Sequence, residues 1–168
     1  MKKVFLIILS IMFYFFITFI TNTLNIFYPL TNLLLSCVFI VFIFSVYYKN
    51  NSWALSSYIM FTLIFLFYRM KVENNINGDF YLFRWLKIIF TNRIAFINIL
   101  GNILLFMPYC ILIKSKYYLL IIICCILSLE LIQYLTNRGI LDIIDITLNI
   151  FGCILVIPFR WRLYGRQR

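Results

Sequence analysis

Between Lys3 and Lys49 the chain carries no charged residue. The tract is too long for one membrane span, since about 20 residues are enough to cross the hydrocarbon core of a bilayer. The tract is therefore expected to hold two spans. Composition agrees: 65% of the 168 residues are hydrophobic, only 12% are charged, and mean hydropathy is +1.02. A water-soluble domain is nearer half apolar and a quarter charged. A soluble globule is excluded for want of polar surface. Disorder is excluded for the opposite reason. The expected class is an all-α, polytopic integral membrane helix bundle.

Polar and turn-forming residues divide the chain into six spans. Thr21 to Asn25 and Tyr28-Pro29 read as a turn, which gives spans over 4–20 and 30–48. Met1-Lys2-Lys3 resembles a signal peptide, but no small-x-small cleavage site follows, so an uncleaved first span is expected. The remaining spans are Trp53–Tyr68, Ile94–Ile113, Tyr117–Leu135 and about Leu141–Phe159. Between the third and fourth lies the long polar segment Arg69–Arg93. Its aromatic and basic part, Phe80–Phe90, reads equally well as an interfacial amphipathic piece or as a connecting loop.

The net charge of +10 concerns topology more than nucleic acid. There is no basic helix and no RNA-binding motif, so nucleic acid is not an expected partner. With the N-terminus inside, Lys2, Lys3, Lys49, Lys114, Lys116, Arg160, Arg162, Arg166 and Arg168 lie inside. Arg69, Lys71, Arg84, Lys87, Arg93 and Arg138 lie outside. Nine against six places both termini in the cytoplasm, in a plasma membrane. The tail arginines are expected to anchor to anionic lipid. The five cysteines sit in apolar runs and there is no histidine, so thiols read as packing residues. No metal site, disulfide framework or cofactor is expected.

Ionisable groups inside spans are expensive and are functional candidates by default. In span five, Glu130, Gln133 and Asn137 share one helical face. In span six, Asp142, Asp145, Asn149 and Gly152 form one stripe. Span four has Asn98 and Asn102, with Gly101 beside them and Pro108 further on. Unpaired amides and carboxylates must avoid lipid, so the stripes are expected to face inward on one outward-leaflet cluster. Arg138, in the turn, is a partner for Glu130, Asp142 or Asp145. Glu130, Asp142 and Asp145 are the candidate catalytic or ligand-holding groups; the amides read equally as interhelical glue. Gly101 and Gly152 are expected to permit close helix approach, and Pro108 a local bend.

The residues Asn98-x-x-Gly101-Asn102 through Met107-Pro108, then Ser128-Leu129-Glu130 to Tyr134, Arg138-Gly139, Asp142-x-x-Asp145 and Asn149-x-x-Gly152, resemble the VanZ-like family. The resemblance covers about residues 53–160. It implies a VanZ-like membrane domain over 51–160, preceded by an added pair of helices over 1–50 and followed by a basic cytoplasmic tail over 161–168. The family's namesake is associated with lowered susceptibility to teicoplanin, a lipoglycopeptide that blocks cell-wall synthesis. The resemblance therefore implies an envelope protein that modulates the response to such drugs. Its expected partners are the lipid bilayer and a lipid-linked cell-wall precursor or an amphiphilic drug. Two positions depart from the pattern: Cys110 and Cys153 stand where the family often has glycine. The family's Asn-x-x-Pro-Phe element is not visible in Phe83–Phe96.

Two other classes remain open. An enzyme acting on a lipid-linked envelope substrate would use Glu130, Asp142 and Asp145 as acid and base or to hold a divalent cation. The absence of His removes Ser/His and Cys/His nucleophilic chemistry. A small transporter or flippase fits midplane polar groups, but no inverted repeat is detectable. The ligand, the oligomeric state and the purpose of the first two helices are not legible at this level.

Overall fold

A computed structural model describes residues 2–71, 92–139 and 141–164. The Phe80–Phe90 segment, with Arg84 and Lys87, and the tail residues Arg166 and Arg168 lie outside the described residues. Among the described residues the chain is all-helical, with seven helices and no strand. We number them α1 (Lys2–Leu24), α2 (Thr31–Tyr47), α3 (Asn51–Phe67), α4 (Arg93–Leu105), α5 (Met107–Leu112), α6 (Tyr118–Leu135) and α7 (Ile143–Tyr164). Four apolar helical segments are long enough to cross a membrane: Val4–Leu24, Arg93–Leu112, Tyr118–Leu135 and Ile143–Tyr164. Helices α2 and α3 are apolar but have 17 residues each, which gives about 25 Å of rise.

The chain divides into two compact units, Met1–Met70 and Lys71–Arg168. The division falls after α3, so the third helix groups with the first pair. In the first unit α2 packs against both α1 and α3. The seam is aromatic. Phe13 of α1 stacks on Phe39 of α2 with ring centroids 3.6 Å apart, and Phe42 meets Tyr58 of α3 at 5.0 Å. Asn32 donates to the Thr18 hydroxyl at 3.1 Å, a polar tie between α1 and α2. The end of α3 returns to the α1–α2 turn, where the Met70 N–H donates to the Ile26 carbonyl at 2.7 Å.

Helix α1 runs to Leu24, past the turn expected at Thr21. The threonines do not break it because their hydroxyls fold back. Thr21 donates to the Thr18 carbonyl and Thr23 to the Phe19 carbonyl. The stop comes at Asn25, in the left-handed region at φ 48°.

In the second unit α7 is central and packs against α4, α5 and α6. Ile99 of α4 and Ile144 and Leu148 of α7 form a buried cluster, with Ile103 against it. At Gly152 the two helices touch through backbone. A Cβ there would lie 1.9 Å from the Ile103 carbonyl oxygen. The expected close approach is thus made at Gly152 and not at Gly101, where an added Cβ would meet nothing within 4 Å.

The expected bend at Pro108 is an interruption two residues earlier, at Phe106, between α4 and α5. Pro108 has no N–H for the Leu104 carbonyl. That carbonyl takes the Phe106 N–H instead, which tightens the turn and ends α4. Pro158 has no such effect. Helix α7 continues through it to Tyr164 rather than ending near Phe159.

The Gly152 contact gives a paired prediction. Gly152→Val forces α4 and α7 apart and costs about 1–3 kcal/mol. Gly101→Ala, in open space, is neutral to slightly stabilising, since Gly costs up to about 1 kcal/mol in a helix. Thermal unfolding of both variants in detergent checks this; equal transitions would refute the contact's importance.

Candidate functional site

Helix α7 displays its polar groups along one buried stripe. Asp142 precedes the helix and caps it, its carboxylate accepting the Ile144 N–H at 2.8 Å. A negative charge at this end also complements the helix dipole. Asp145, in the first turn, accepts a hydrogen bond from the Asn102 side chain of α4. Asn149, one turn further, is 2% exposed, and its Oδ1 has no hydrogen-bond partner among the described residues. It lies between the Asn102–Asp145 bond and the Gly152 crossing along α7.

Helix α6 supplies Glu130 and Gln133, both buried. The helix ends in a Schellman closure. Asn137 at φ 55° donates to the Tyr134 carbonyl, and the Arg138 N–H donates to the Gln133 carbonyl at 2.9 Å. An added Cβ on Gly139 would lie 3.3 Å from the Gln133 Cβ, so the glycine lets the turn close over that side chain. Arg138 is half-buried.

Asn102 and Asp145 touch, Glu130, Gln133 and Asn149 are buried, and Asp142 serves the helix end. Asn98, one turn before Asn102 on α4, is exposed.

The sequence reading missed Arg160. Expected as a lipid anchor, it is buried at 8% exposure. Its guanidinium donates to the carbonyls of Cys110, of Ile113 at 2.7 Å and of Ser115 at 3.0 Å. It lies over the Tyr118 ring at 3.7 Å and the Tyr164 ring at 4.9 Å. The Tyr164 hydroxyl adds a bond to the Ile111 carbonyl at 2.8 Å. Short α5 ends in orphan carbonyls, and a cation there satisfies them and complements the dipole. The signal was present: Arg160 continues the stripe of Asp145, Asn149, Gly152 and Val156 at spacings of four, three, four and four.

Comparisons with protein-family models, with curated proteins and with solved structures gave no match.

Arg160→Met removes these donors while keeping much of the stem. It is expected to cost about 2–4 kcal/mol, because each charged hydrogen bond contributes about 1.5–3 kcal/mol and relaxation recovers part. Arg162→Met, at an exposed position, stays within about 0.5 kcal/mol. Chemical or thermal unfolding in detergent separates the two; equal losses would contradict the internal role of Arg160.

Proposed function

We propose that the protein is a VanZ-like integral membrane protein that modulates the cell-envelope response to lipoglycopeptide antibiotics such as teicoplanin. In this reading α1, α2, α3, the α4–α5 pair, α6 and α7 make six spans in the plasma membrane, with both termini cytoplasmic. The short α2 and α3 are accommodated by local thinning of the bilayer. The polar stripe then opens toward the outer leaflet. It binds the polar part of a lipid-linked cell-wall precursor or of an amphiphilic drug.

One observation carries the binding reading: the buried oxygen of Asn149, one turn along α7 from the Asn102–Asp145 bond, has no hydrogen-bond partner among the described residues. Interhelical glue spends its donors and acceptors on neighbouring helices. A buried acceptor left over costs about 1–3 kcal/mol, and a ligand hydroxyl or amide N–H recovers that cost. The capping role of Asp142 weighs against an acid–base carboxylate pair, because one of its oxygens is held by the Ile144 N–H.

The test is teicoplanin susceptibility of a sensitive Gram-positive host carrying empty vector, this protein, Asp145→Asn or Asn149→Leu at matched membrane levels. The expected result is an inhibitory concentration raised at least fourfold by the protein and returned to the vector value by either substitution. No rise with well-expressed protein would overturn the drug-response assignment. A rise untouched by both substitutions would overturn the role of the stripe.

A further inference from the structure

Cys110 and Cys153 lie 43 positions apart, on α5 and α7, and meet in the interior. Both are fully buried, at 0% and 2% exposure. Both thiols point at one acceptor, the Phe106 carbonyl at the helix break, each at 3.8 Å. The Cys110 thiol also lies 3.9 Å from the Cys153 carbonyl. Cys37, Cys124 and Cys125, by contrast, are exposed.

We propose that Cys110 and Cys153 form a two-coordinate site for a soft monovalent d¹⁰ cation of the copper group. Thiolates select such ions over harder ones. Two donors suffice for linear coordination, so a cluster of three or more ligands is not needed. The exchange balances as one M⁺ and two thiols giving a bis-thiolate complex of charge −1 and two protons released to buffer. A buried anion is costly without a partner. The Arg160 guanidinium supplies one, donating to the carbonyl of Cys110 itself. Entry is short. Cys110 precedes the end of α5 at Leu112 by two residues, about 3 Å of helix rise, and the Lys114–Tyr117 loop follows.

The test uses full-length protein in detergent with Cys37, Cys124 and Cys125 replaced by Ser. After reduction and desalting under argon it is titrated with Cu(I) held by bicinchoninate as a coloured competitor. One Cu(I) per chain should leave the competitor, and X-ray absorption should show two sulfur neighbours. Cys110→Ser and Cys153→Ser, each added to that background, should each lower the affinity at least 100-fold with the helical circular dichroism retained. Failure of the folded background protein to take copper would overturn the site. So would retention of copper by both single-serine variants. Oxidation in air to a Cys110–Cys153 disulfide, with no copper taken up under argon, would overturn it in favour of a cross-link.

Discussion

Helix α7 approaches α4 to backbone contact at Gly152, and the arrangement of the second unit follows from that crossing. Any side chain at 152 would strike the Ile103 carbonyl. With the helices this close, short side chains reach across. On the N-terminal side of the crossing, Asn102 meets Asp145. On the C-terminal side, Cys153 reaches the Phe106 carbonyl and Arg160 reaches the end of α5.

A second constraint acts through the backbone. In hydrocarbon every N–H and C=O needs an internal partner. The break between α4 and α5 would violate this at several carbonyls. The chain answers with groups from the same stripe of α7 and with its own tightened turn. The Phe106 N–H covers Leu104, thiols cover Phe106, and one guanidinium covers Cys110, Ile113 and Ser115. Pro108 is tolerated because the Phe106 N–H takes the Leu104 carbonyl that its ring leaves open.

The parts of this fold legible in the sequence are those governed by one-dimensional period. The apolar runs locate the helices, and spacings of three and four locate the buried faces of α6 and α7. The turn after Leu135 and the close approach at Gly152 were also legible, since Gly and Asn mark them. What escaped were features set by partners distant in sequence. Arg160 looked like one more tail charge because its acceptors lie some fifty positions earlier. The break fell at Phe106 because a proline removes a bond from the residue four before it, not from its own position. Asn98 lies one turn before Asn102 on α4, yet it is exposed while Asn102 reaches Asp145. Cys110 and Cys153 read separately as small packing residues. Only the packing of α5 on α7 brings both thiols to the Phe106 carbonyl.

The placement of Arg160 also gives one residue two tasks. It fills the carbonyls that α5 and the following turn leave open, and it lies against the Tyr118 ring at the start of α6. The second task follows from the first. One side chain ties the ends of α5, α6 and α7 together, so loosening any one of them strips the charge and its acceptors of their partners at once.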